Sequence, residues 1–348
     1  MSDRAQILVG DALERLRELP DESVHCVVTS PPYWALRDYG VEGQLGLEAT
    51  PAEFVARLVE VFREVRRVLR SDGAAWVNLG DTYIGGRSGG VGASTITSGR
   101  NHAAANAVAS HREKGGGTRH LVVDGLKPKD LVGIPWRVAL ALQADGWWLR
   151  SDVIWHKPNP MPESVRDRPS RAHEYLFLLA KSESYHYDAD AIRTPLAEKT
   201  YTAHDTSTRR SKGTDALGNV AAHNFARDVP ERKPRVNERG EPVGANRRTV
   251  WRLDEIEAPD VWTIPNEPYP HSHFATFSRR LVRPCVLAGC PVDGVVLDPY
   301  AGSGTTGEVA LELGRRAILI ELNPEYLPLI EERLRGVQYP LIAPGGAA

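Results

Sequence analysis

Residues 295–321 constrain the fold more tightly than any other stretch. Val295-Val296-Leu297 is a short apolar run ending in Asp298, and a glycine-rich turn, Ala301-Gly302-Ser303-Gly304, follows it. A helix starts near Gly304 and leads to a second apolar run, Ala317-Ile318-Leu319-Ile320, closed by Glu321. A run that is apolar on both faces suits a parallel strand buried between helical layers. Two such runs joined by one helix make a βαβ unit, so the pattern implies an α/β sheet. Glycines in the turn let the backbone approach a ligand closely. The turn is not a phosphate cradle, because it lacks a P-loop lysine and Gly302-Ser303-Gly304 does not complete G-x-G-x-x-G. Asp298 at its mouth favours a ligand carrying a cationic amino group. Glu321, 23 residues further on, stands where such folds bind ribose hydroxyls.

The same alternation runs along the rest of the chain. Strands are expected at 7–11, 23–29, 74–79, 148–155, 174–180, 294–297 and 316–320. Helices are expected at 12–19, 53–69, 134–145, 278–288, from 304, and 325–335. The helix at 53–69 is the clearest, with Phe54, Val55, Leu58, Val59, Phe62, Val65 and Leu69 on one face. Two segments break the pattern. Residues 85–126 are rich in Gly, Ser, Ala and Asn, and a loop this long inside a domain is usually functional or disordered. Residues 196–258 are polar and dense in arginine. Between 207 and 252 there are eleven Lys/Arg against five Asp/Glu, an excess of six in a chain whose net charge is −2. The expected organisation is therefore 1–84, loop 85–126, 127–195, basic segment 196–258, 259–335 and a tail 336–348.

A second informative stretch is Ser30-Pro31-Pro32-Tyr33-Trp34. It follows the run Ser23 to Thr29, which reads as a central strand. Two prolines stop the ladder and hold the chain extended. The exit presents a hydroxyl, a backbone carbonyl and aromatic rings at the carboxyl end of a strand, where open α/β sheets bind ligands. Acceptors beside stacking rings suit a planar ring bearing an amino group. Three cysteines, Cys26, Cys285 and Cys290, have neither metal-ligand nor disulfide spacing. No metal is expected. No run approaches the roughly 18 apolar residues of a membrane span, and residues 1–4 lead directly into a strand without signal-peptide character. A cytoplasmic location with no membrane partner is the expectation.

Asp298-Pro299-Tyr300-Ala301-Gly302-Ser303-Gly304-Thr305-Thr306 resembles the S-adenosylmethionine motif of amino-methylating DNA methyltransferases, and Thr29 to Trp34 resembles their catalytic motif. The catalytic motif precedes the cofactor motif, with the basic segment between, which resembles the permuted β-class order. Similarity covers about 1–84, 127–195 and 259–335. The resemblance implies a Rossmann-like methyltransferase fold: a mixed, mostly parallel sheet with helices on both faces and an inserted target-recognition region. It implies that Asp298, Ala301, Gly302, Ser303 and Gly304, with the adjoining Thr305, line the methionine moiety of S-adenosyl-L-methionine, and that Glu321 binds the ribose. Asp11 matches the position facing adenine, the alternative being a helix N-cap. His273-Phe274-Ala275-Thr276-Phe277 resembles the motif that closes over the methionine end, with core packing the alternative for Phe274 and Phe277.

The resemblance also implies the chemistry. Ser30 Oγ and the Pro31 carbonyl accept the two N–H bonds of an exocyclic amino group, next to Pro32, while Tyr33 and Trp34 stack on the ring. Transfer is direct, and the base is flipped out of the duplex. Pro284-Cys285 has the dipeptide of a C5-methylating nucleophile but lies in an apolar helical run, so Cys285 is expected in the core. Ser at the first motif position and Trp after Tyr33 lean to cytosine N4. Adenine N6 is the alternative, and protein glutamine or RNA a remote one, since those enzymes use Asn-Pro-Pro-Tyr after the cofactor motif. The expected partner is double-stranded DNA, read by candidates Arg209, Arg210, Arg247, Arg248, His156 and Lys157. A cognate restriction endonuclease and a homodimer are further expectations.

Overall fold

Apolar strands alternating with amphipathic helices build a doubly wound α/β domain in the computed structural model, which describes residues 4–84 except 37, 125–193 except 159, 161, 162 and 164, 250–251, and 277–337. The strands are β1 (Ala5–Val9), β2 (Val24–Thr29), β3 (Leu69–Leu79), β4 (Trp148–His156), β5 (His173–Ala180), β6 (Val250–Trp251), β7 (Val295–Asp298) and β8 (Arg316–Glu321). Among the described residues they form one sheet in the order β1-β8-β7-β2-β3-β5-β4-β6. Seven strands make the body of the sheet, and the two-residue β6 pairs at the edge with β4. Every neighbouring pair is parallel except β3–β5 and β4–β5, so β5 alone runs against the others.

The helices are α1 (Ala12–Arg17), α2 (Pro51–Val68), α3 (Ile134–Ala144), α4 (Arg279–Gly289), α5 (Thr305–Glu312) and α6 (Leu327–Arg335). Strand alternation sends Val27, Ala75, Val77, Phe177, Leu179 and Leu297 to one face, where α1, α2 and α3 cover them. Cys26, Val28, Trp76, Leu176, Leu178 and Val296 point to the other, under α4 and α5. Both faces are therefore apolar, which is why these strands read as continuous hydrophobic runs. Helix α2 starts on a capping box, with Thr50 and Glu53 satisfying each other's backbone N–H groups, and Pro51 in its first turn. Helix α3 has no cap of its own at Gly133. Asp81, from the end of β3, substitutes, accepting from Gly133 N at 2.9 Å and Ile134 N at 3.0 Å. Cys285 lies buried in α4, its thiol donating to the Leu281 carbonyl at 3.1 Å, so it is core as expected.

The observed elements follow the expected ones with shifts of a few residues, and two differences are larger. Strand β3 begins at Leu69 rather than 74, because Leu69 already pairs with Val24 before a register shift. Strand β6 falls inside the basic segment, where two residues give no period to read.

Candidate functional site

Strands β2 and β7 lie side by side at the centre of the sheet, and the chain leaves them in opposite directions. From β2 it crosses through α2 to β3, and from β7 through α5 to β8 on the other side. The carboxyl ends of two such strands flank a topological switch point, the crevice in which α/β sheets bind ligands. Both sequence motifs stand there. Thr29 Oγ1 donates to Asp298 Oδ1 at 2.6 Å, and Thr306 Oγ1 donates to Asp298 Oδ2 at 2.6 Å. Tyr300 N adds a third bond to Asp298 Oδ1 at 3.1 Å. Asp298 is buried, and burial pushes its carboxyl up despite these three donors. It thereby latches β2, β7 and the start of α5 together.

The turn after β7 is shaped by two left-handed glycines, Gly302 at φ +54° and Gly304 at φ +82°. A Cβ on Gly304 would also meet Ile330 Cγ2 of α6 at 3.0 Å. Glu321, at the tip of β8, accepts from Gly302 N at 2.7 Å and from Asn323 N at 2.8 Å. Burial raises its carboxyl to about 7, opposed by those two N–H groups. Asp11 caps α1, accepting from Leu13 N at 2.9 Å and Glu14 N at 3.1 Å through a single oxygen, Oδ1. The Tyr300 hydroxyl is buried with no hydrogen-bond partner among the described residues. Two acids at strand tips, a left-handed glycine turn and an orphaned hydroxyl fit a ligand with ribose hydroxyls and a cationic end.

On the other side of the crevice Ser30 opens a half-buried polar row that the sequence alone did not reveal. Register explains it: Val28 pairs with Trp76, Asn78 with Leu176, and Trp155 with Glu174. Ser30, Asn78, Glu174 and Lys157 each follow this alternation, so they line up across β2, β3, β5 and β4 on the face of α4. Asn78 Nδ2 lies 2.7 Å from the Tyr33 hydroxyl, 3.0 Å from Glu174 Oε2 and 3.4 Å from Ser30 Oγ. The Tyr33 hydroxyl donates to Glu174 Oε2 at 2.8 Å. Lys157 Nζ binds Glu174 Oε1 and sits 4.4 Å above the Trp155 ring. Burial raises the Glu174 carboxyl, but the ammonium and the bonds from Lys157, Asn78 and Tyr33 outweigh it and leave it below its usual range. Two glycines clamp Tyr33. A Cβ at position 80 would lie 2.5 Å from Tyr33 Cε2, and one at position 46 would lie 2.8 Å from the Tyr33 carbonyl oxygen.

Several expected site residues take other places. Trp34 is buried in the main core, and its Nε1 donates to the Glu48 carbonyl at 2.9 Å. It anchors the motif and is not a stacking surface. Thr305 is buried and accepts from Arg333 Nη1 at 3.0 Å, which assigns its hydroxyl to the packing of α5 on α6 instead of the ligand. The Lys157 ammonium is committed to Glu174 and withdrawn from phosphate contact. Phe277 is half-buried and packs against the second core. His156 is half-buried at the end of β4, in register with His173. Phe274, Thr276, Arg209, Arg210, Arg247 and Arg248 lie outside the described residues. No group of three His, Cys, Asp or Glu among the described residues is placed to hold a metal.

Comparison with known proteins bears on this geometry. The DNA methylase family model for N6/N4 methyltransferases matches residues 24–332. The type II methyltransferase M.Cfr9I of Citrobacter freundii is 43% identical over 95% of this chain and 88% of its own. M.SmaI of Serratia marcescens is 43% identical over 94% and 90%. Among solved structures, the PvuII DNA methyltransferase (cytosine-N4-specific) superposes with a TM-score of 0.57 at 18% identity, over 96% of this chain and 87% of that one. A candidate DNA modification methylase from Thermus thermophilus, complexed with S-adenosyl-L-methionine, gives 0.52 at 23% identity, over 95% and 93%.

The mixed, mostly parallel sheet with its crevice between β2 and β7 is the fold of S-adenosylmethionine-dependent methyltransferases. Within that class, the chain belongs to the N6/N4 DNA methylase family. It is a DNA methyltransferase.

Proposed function

We propose that this enzyme transfers a methyl group to the exocyclic N4 of a cytosine flipped out of double-stranded DNA. The observation that carries the reading is the placement of Ser30-Pro31-Pro32-Tyr33 at the switch point, joined through Thr29 to Asp298. An exocyclic amino nitrogen is a weak nucleophile because its lone pair is delocalised into the ring. Ser30 Oγ and the Pro31 carbonyl each accept one N–H and turn the lone pair toward the methyl donor. Positioning and fixed dipoles then lower the barrier without a covalent intermediate. S-adenosyl-L-methionine supplies a methyl activated by a sulfonium, and Asp298, Ala301, Gly302, Ser303, Gly304 and Glu321 are the residues to hold it, with Asp11 at the adenine side. Tyr33 forms one wall of the base pocket. Serine at the head of the motif, and the cytosine-N4 specificity named for the PvuII structure, favour cytosine over adenine. The type II methyltransferase names of the relatives support a place beside a cognate endonuclease.

Digesting DNA methylated by the protein to nucleosides and identifying the product by mass tests the reading. N4-methylcytosine is expected. N6-methyladenine alone would overturn it. Ser30→Ala is expected to lower turnover at least about tenfold while sparing cofactor affinity in titration.

A further inference from the structure

The half-buried polar row behind Ser30 has a direction. A carboxylate only accepts hydrogen bonds, a tyrosine hydroxyl has one proton, and an ammonium only donates. Lys157 and Asn78 both donate to Glu174, as does Tyr33 at 2.8 Å. With its proton directed at Glu174, the Tyr33 oxygen presents lone pairs to everything else. Asn78 Nδ2 fills one at 2.7 Å, and Ser30 Oγ faces the same oxygen at 3.5 Å. The proton of Ser30 then has Tyr33 as its acceptor, a long contact of the kind that tightens in a substrate complex. Asn78 Nδ2 has only two protons and stands nearer to Tyr33 and Glu174 than to Ser30 Oγ at 3.4 Å, so Ser30 keeps lone pairs for an incoming N–H. Reverse the Tyr33 proton, and Ser30 would instead receive it and lose an acceptor site.

We propose that Glu174, paired with Lys157, is a positioning residue that fixes the polarity of the Tyr33–Ser30 relay so that Ser30 acts as an acceptor toward the substrate amino group. The inference rests on the role given to Ser30 under the proposed function. Glu174 itself touches no substrate. It acts through Tyr33, two hydrogen bonds from the reacting nitrogen. The register of β5 makes this possible: because β5 is antiparallel, its first residues, not its last, lie at the carboxyl ends of β2 and β3.

Glu174→Gln keeps the shape but offers Tyr33 a donor as well as an acceptor, so the relay can reverse. The expected result is a loss of about tenfold in single-turnover methyl transfer, with the dissociation constants for DNA and S-adenosylmethionine changed less than about twofold. Tyr33→Phe should cost a similar factor. Glu174→Gln added to Tyr33→Phe should cost nothing more, because both act through one hydroxyl. If Glu174→Gln alone melts the protein by leaving Lys157 unpaired, Glu174→Gln with Lys157→Met removes both charges, and the same comparison applies. Wild-type rates in the folded Glu174→Gln protein, or losses that multiply in the Tyr33→Phe background, would overturn the relay. The Ser30→Ala variant keeps the two readings apart. Full turnover in Ser30→Ala defeats the role of Ser30 itself, whereas its loss beside an unaffected Glu174→Gln defeats only the relay.

Discussion

Two single residues turn geometry into measurable behaviour. Glu321 is buried and its carboxyl is raised to about 7. An acid raised above its unfolded value favours the protonated form when folded, so its contribution to stability is full below the ordinary carboxylate range and is lost as pH rises through about 7. Ribose hydroxyls need the opposite form, an ionised acceptor. Affinity for S-adenosylmethionine should therefore weaken by up to about tenfold between pH 8 and pH 6, while the melting temperature of the ligand-free protein moves the other way. Titration across that range checks it, and an affinity independent of pH would remove Glu321 from the ribose. Gly80 acts by what it lacks. Its missing side chain leaves room for the Tyr33 ring, since a Cβ there would come within 2.5 Å of Cε2. Gly80→Ala must push the ring aside, and turnover should drop at least about tenfold with cofactor affinity intact. Single-turnover rates and a cofactor titration on the same preparation decide it.

At the scale of elements, α3 depends on a side chain from another element. Gly133, in a left-handed conformation at φ +77°, offers no cap, and Asp81 accepts from Gly133 N and Ile134 N in its place. Asp81→Ala should destabilise the fold by about 1–2 kcal/mol, read as a lower denaturation midpoint with an unchanged slope; an unchanged midpoint would deny the cap. Such long-range capping also explains what the sequence could and could not convey. Strand and helix periods were readable because each face of the sheet is apolar, and Val27 and Val28 each find a helix layer. The two motifs were readable because proline and glycine mark backbone geometry directly. The Asn78–Glu174–Lys157 row was not readable, because it exists only once β5 is known to pair antiparallel between β3 and β4. Tertiary contacts separated similar residues in the same way. Trp34 and Tyr33 are neighbours in sequence, yet one is core and the other faces Glu174. Thr305 and Thr306 likewise diverge, toward Arg333 and toward Asp298.

Across the whole molecule, charge is unevenly distributed. The chain carries −2 in total, while residues 207–252 hold eleven Lys/Arg against five acids. The remainder of the chain is thus net acidic, which makes this basic segment a natural source of attraction to a phosphate backbone. The only described residues of that segment, Val250–Trp251, pair with Ile154 and Trp155 of β4, just before Lys157, whose ammonium lies over the Trp155 ring. That pairing sets Val250 and Trp251 at the edge of the sheet, on the β4 side. Phosphate contacts release counterions, and each contact contributes about 0.9 to the slope of log affinity against log salt. Replacing Arg209, Arg210, Arg247 and Arg248 by Gln together should flatten that slope by up to about 3.6 if all four meet phosphates, and by less for each that reads a base edge instead. Cofactor binding should be untouched, because the glycine turn and Glu321 belong to β7 and β8 on the other side of the switch point. A salt slope equal to that of the wild type would mean that none of the four arginines meets a phosphate, and the positive charge serving DNA would then have to be sought elsewhere in the chain.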